Sequence, residues 1–106
     1  MNCTFCGKPI DEHSEGPETD VCVESIMGGN VRPIIPRPWT TDYAAAMRVW
    51  DFLPVPRSLE HRRWGTVVKA FIYEDGKSVV VDIAGLNWPL AICQAMLMVH
   101  TRRMEK

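Results

Sequence analysis

Apolar and polar positions recur along this chain in three rhythms, and each predicts a different kind of element. After Gly16-Pro17-Glu18-Thr19-Asp20, the residues Val21, Cys22, Ser25 and Ile26 fall at helical spacing, and Gly28-Gly29-Asn30 supplies a stop. Proline and acidic residues suit a first turn, and glycine accepts the left-handed cap. Residues 31–39 contain Pro33, Pro36 and Pro38, so this stretch reads as an extended, polyproline-like arm. Thr40 or Thr41 then caps a second helix with Asp42 in its first turn; Tyr43, Ala46, Met47, Trp50 and Leu53 form its apolar stripe, and Pro54 and Pro56 end it. From Arg57 to Trp64 the chain reads as basic and irregular. Gly65 to Tyr73 is rich in β-branched and aromatic residues and predicts a strand, Asp75-Gly76 a hairpin turn, and Ser78 to Ala84 the return strand before Gly85. Asn87 and Pro89 open a last helix, whose stripe of Leu90, Cys93, Leu97 and His100 is widened by Ala91, Ala95 and Met98.

The element order predicts an α+β fold: a small antiparallel sheet packed with about three helices, an α/β sandwich in one domain over 1–106. Residues 1–15 form a short zinc-knuckle-like segment and 16–106 the sandwich. Two strands alone are marginal, so a further strand is expected from the arm or from a second subunit. The first strand is apolar on both faces, with Val68, Ala70 and Ile72 on one and Val67, Phe71 and Tyr73 on the other. Together with the wide face of the last helix, this leads to the expectation of a two-fold homodimer.

Composition narrows the partners. The 106 residues are 46% hydrophobic and 24% charged with a net charge of −1, so the molecule as a whole has no bulk attraction for nucleic acid or anionic membrane. The start, Met1-Asn2-Cys3-Thr4-Phe5-Cys6, lacks a basic-then-apolar signal pattern, and the longest apolar run, Leu90 to Val99, is broken by Gln94. A cytoplasmic protein without a membrane span is expected. In that compartment four cysteines favour free thiols or a metal over disulfides.

Cys3-x-x-Cys6 followed by Gly7-Lys8 has the spacing with which two thiolates grip one ion, and His13 and Cys22 are the nearest residues to complete a tetrahedron. Such a set of three cysteines and one histidine implies structural Zn²⁺, because no position stays open for water. Two alternatives stand beside it: loose thiols with Cys22 in the core, or a redox Cys-x-x-Cys. Cys93 reads as a core residue.

Arg57, His61, Arg62, Arg63 and Trp64 form the densest basic cluster. Arginine forks grip phosphate and tryptophan stacks on bases, so Arg62, Arg63 and Trp64 are candidates for holding an anionic ligand. Arg37 and Trp39, just before the second helix, are a further pair. The ordinary alternatives are a solvated loop and a plain helix cap. No nucleophile or acid–base arrangement stands out among the serines, threonines and histidines, which argues for binding over catalysis.

Two segments carry a family likeness. Pro36-Arg37-Pro38-Trp39-Thr40-Thr41-Asp42-Tyr43-Ala44-Ala45-Ala46 followed by Val49, and Trp88-Pro89-Leu90-Ala91-Ile92-Cys93-Gln94-Ala95, resemble the phage ABA sandwich domain, as does the Met27-Gly28 helix end. The resemblance runs from about Pro17 to His100. It implies a phage origin and an α/β sandwich, supplies no catalytic residues, and leaves the Cys3–His13 segment outside. The expectation is a non-enzymatic phage accessory protein in the cytoplasm of an infected bacterial host. It would bind a small anionic ligand, such as a nucleotide immune signal, or a host defence protein. The alternative is a zinc-stabilised protein associated with nucleic acid or transcription, less favoured by the balanced charge.

Overall fold

The structure, a computed structural model, describes residues 2–27, 37–53, 57–74, 77–85 and 87–104. The helix stop at Gly28-Gly29-Asn30, the arm over 31–36, Pro54 and Pro56, and the Asp75-Gly76 turn lie outside the described residues. Within them are a short 3₁₀ turn (Ile10–Glu12), α1 (Pro17–Met27), α2 (Tyr43–Phe52), β1 (Arg57–Arg62), β2 (Gly65–Glu74), β3 (Lys77–Gly85) and α3 (Trp88–Met104). The fold is α+β, as the periodicity predicts.

The three described strands form one antiparallel sheet in the order β1-β2-β3. The expected hairpin is β2 and β3, with Val68 opposite Ile83 and Lys69 opposite Asp82. The third strand is a correction: it comes from Arg57–Arg62, the stretch read as irregular, and pairs Leu59 with Val68 and His61 with Thr66. Leu59 is the one aliphatic side chain in Arg-Ser-Leu-Glu-His-Arg, so strand propensity is weak there and pairing with β2 makes the strand. A charged edge strand is also the form that resists unwanted edge-to-edge association.

One sheet face is apolar where described, with Val68, Ala70, Ile72 and Ile83 buried. On the other, Ser58, Glu60, Lys69 and Asp82 are exposed, Phe71 is half-buried, and Val67 is buried. α3 packs directly on β2 and β3, and α2 and α1 pack on α3. α3 is therefore covered on two sides within one chain, and every residue from 91 to 97 is buried. A helix covered on two sides is apolar nearly all round. Contacts within one chain thus cover much of its wide apolar face.

α2 departs from its expected stripe. Ala45, Ala46, Val49 and Leu53 are buried, whereas Tyr43 and Met47 are exposed. Two adjacent alanines let α2 approach α3 closely, and the bulkier side chains flank the contact. The cap is Asp42, whose carboxylate accepts a hydrogen bond from the Ala44 N–H at 2.9 Å. Thr40 does something else. Buried Asp20 of α1 accepts hydrogen bonds from the Thr40 N–H and hydroxyl, both at 2.9 Å, and the Thr40 oxygen accepts the Gly16 N–H at 3.0 Å. This buried network ties the start of α1 to the approach to α2.

Candidate metal centre and basic cleft

The N-terminal segment folds back on itself before any helix begins. Asn2 and Pro9 form an antiparallel bridge, the Cys3 N–H donates to the Lys8 carbonyl at 2.8 Å, and the Gly7 N–H donates to the Cys3 carbonyl at 2.9 Å. Gly7 has φ +78°, a left-handed conformation natural to glycine, and this turns the chain beneath Cys6. The Phe5 N–H points at the Cys3 sulfur at 3.4 Å. The 3₁₀ turn then presents His13, and α1 brings Cys22 from its second turn.

The result is one cluster. The ligand atoms of Cys3, Cys6, His13 and Cys22 all lie within 4.8 Å of one another. Bonds of about 2.3 Å to sulfur and about 2.0 Å to nitrogen place tetrahedral ligand atoms roughly 3.5–3.8 Å apart, so a small contraction closes this set on one ion. The four residues can hold a metal, and all four cysteines of the chain are free of disulfides.

The histidine is oriented for the role. Its Nδ1 donates to the Pro9 carbonyl at 3.0 Å, which leaves the Nε2 lone pair facing the Cys6 sulfur at 3.2 Å. Cys3, His13 and Cys22 are buried and Cys6 is exposed. Burial, with the neighbouring charge of Cys3 adding to it, pushes the Cys22 thiol far above its usual range. At Cys6, burial also resists ionisation, but the Lys8 backbone hydrogen bond, the Cys22 and Cys3 thiols and the Lys8 charge outweigh it and hold this thiol below its usual value. A dication at the centre would favour the Cys22 thiolate against both its burial and its neighbouring thiols.

The core reaches the cluster through α3. Gln94, buried, donates from Nε2 to the His13 carbonyl at 2.7 Å. Phe5 stacks on His100 of the same helix at 5.2 Å. The cluster thus joins the N-terminal loop to α1, and the Gln94 and His100 contacts join it to α3.

The second candidate site divides. Arg62, Arg63 and Trp64, at the β1–β2 turn, line one cleft of about 520 Å³ together with Tyr43, His61 and Trp88. Tyr43 and Trp88 stack at 5.0 Å with 16° between their planes. Each is the first residue of its helix, so the cleft also lies at the start of α3, beside Asn87. Trp64 is 50% exposed. Arg62 pairs with Glu60 at 3.1 Å, an exposed contact of little strength. Arg37 and Trp39 do not line this cleft. Trp39 is 1% exposed and belongs to the core, where its carbonyl accepts from the Cys93 thiol at 3.3 Å; Arg37 lies over its ring at 5.7 Å. A buried indole offers no stacking surface to a ligand. In the sequence Tyr43 belongs to the apolar stripe of the second helix, and nothing local pairs it with Trp88, 45 residues later. An aromatic residue opening each of two helices was the available signal.

No protein-family model, curated protein or solved structure matches the chain.

Proposed function

We propose that this protein is a non-enzymatic binding module, fastened by one structural zinc ion, that takes a nucleotide-like anion in the cleft at the β1–β2 turn. The observation that carries the binding reading is the meeting of Arg62 and Arg63 with Trp64 and the Tyr43–Trp88 stack in one cleft. Arginine forks match phosphate oxygens, exposed aromatic faces match a base, and the N-terminus of α3 favours negative charge. Zinc follows from the donor set: three thiolates and one imidazole suit it, and four protein ligands leave no open position for catalysis. The resemblance to the phage ABA sandwich domain supplies a setting, a phage accessory protein that sequesters a nucleotide signal of its bacterial host.

Thermal-shift titration with mono-, cyclic and dinucleotides tests the ligand. Stabilisation by a nucleotide without its turnover, lost in Arg62→Ala/Arg63→Ala, is the expected result. Each bidentate contact removed weakens binding by about 1.5–3 kcal/mol. Steeply salt-dependent binding of short oligonucleotides in place of nucleotides gives the cleft to nucleic acid instead. Metal analysis after chelator-free purification is expected to return one zinc per chain.

A further inference from the structure

A larger cleft of about 800 Å³ lies between the N-terminal loop, α3 and the end of β3. Asp82, Ile83 and Ala84 all line it. Successive strand residues point to opposite faces, so a cleft that meets three in a row meets the strand edge-on. β3 pairs with β2 on one side and with no described strand on the other. The opposite wall is α3, which contributes Leu90, Gln94 and Met98 at intervals of four, a single stripe along the helix. An open strand edge beside a helix stripe is the geometry in which an extended segment adds to a sheet.

The chemistry of the cleft is two-sided. Ile10 and Ile83, both buried, and half-buried Leu90 and Met98 supply apolar surface. Exposed Asp11, Glu15 and Asp82 carry carboxylates, and no lysine or arginine lines the cleft among the described residues. A zinc ion held by three thiolates would leave the adjoining centre with one net negative charge. An added strand turns alternate side chains to alternate sides. The strand that fits here carries apolar side chains toward the floor and cationic ones toward the carboxylates.

We infer that this cleft is a peptide-docking groove that takes an extended, alternating basic and apolar segment of a protein partner as an added strand on β3. The main-chain edge supplies the affinity and the three carboxylates the selectivity. The groove meets the nucleotide cleft at Asn87, which lines both, but Asp11, Glu15 and Asp82 line only the groove and Arg62, Arg63 and Trp64 only the other cleft, so the two readings are tested by different residues.

Selection of a random octapeptide display library against the zinc-loaded protein tests this. Enriched peptides are expected to alternate Lys or Arg with aliphatic residues. Their binding, followed by fluorescence anisotropy, is expected to weaken with salt and to fall roughly ten- to a hundredfold in Asp11→Asn/Asp82→Asn, the scale of lost charged contacts. N-methylation of alternate backbone amides separates strand addition from simple charge attraction: one set of positions abolishes binding and the other leaves it intact. No enrichment, enrichment of acidic peptides, or equal sensitivity to both methylation sets overturns the proposal. So does a dimer in light scattering that the same double variant dissociates, since the groove then belongs to a second copy of the chain.

Discussion

Gln94 of α3 donates a 2.7 Å hydrogen bond to the main-chain carbonyl of His13, a residue 81 positions earlier in the chain. The side chain that interrupts the longest apolar run thus holds the loop that brings His13 into the cysteine cluster. A polar residue buried at 7% exposure is tolerated because its amide is satisfied there.

Gln94→Leu keeps the volume and removes the donor. The His13 carbonyl then loses its partner, which is expected to cost about 1–3 kcal/mol. The loss appears as a lower urea midpoint and as faster zinc release to a colorimetric chelator. An unchanged release rate would show that α3 does not support the metal loop.

Thr40→Val removes one hydroxyl from two hydrogen bonds at once, the one it donates to Asp20 and the one it accepts from Gly16. A destabilisation of about 1–3 kcal/mol is expected, with zinc content unaffected. Asp20→Ala is expected to cost more, because the Thr40 N–H and hydroxyl both lose their acceptor. Chemical denaturation of the two variants checks the order.

Thiol reactivity should report the metal centre directly. With zinc bound, iodoacetamide is expected to modify no cysteine rapidly. After chelation Cys6, exposed at the surface, reacts first and Cys93 last. Burial, and then the charge of Asp20, pushes the Cys93 thiol far above its usual range. Peptide mass mapping after timed alkylation gives the order. Cys22→Ser is expected to abolish stoichiometric zinc and to lower the melting temperature, and a variant that keeps its zinc refutes this ligand.

His100 introduces a pH dependence. Burial, and then the nearby Arg103 charge, hold its imidazole below the usual value. The unfolded chain therefore takes up its proton first as pH falls. The contribution is whole above about pH 6.5 and is lost as pH drops through the lower folded value. His100→Gln should flatten this part of the profile. Denaturation of both proteins at several pH values between 7.5 and 5.5 isolates the difference from acid release of metal, which both share.

Local pattern was enough for much of this protein. The hairpin of β2 and β3, the three helices and the α+β class follow from periodicity and residue type, which act within a few residues, although the cap of α2 is Asp42 and neither of the threonines expected there. The clustering of Cys3, Cys6, His13 and Cys22 was also legible, because Cys3-x-x-Cys6 is a local signal and His13 and Cys22 are the nearest donors that can join it. What spacing could not show is how these residues are held: the Nδ1 bond from His13 to Pro9, and Gln94 reaching across from the last helix. The rest was decided by packing. β1 exists because β2 offers it a partner, Tyr43 faces outward because two alanines bring α2 close to α3, and α3 is buried throughout 91–97 because the sheet and two helices pack on it. Trp39 looks like a ligand platform in the sequence and is a core residue in the fold, since nothing local distinguishes an exposed tryptophan from a buried one. Non-local contacts settle such questions, because the energy of burying a side chain depends on what the rest of the chain places around it.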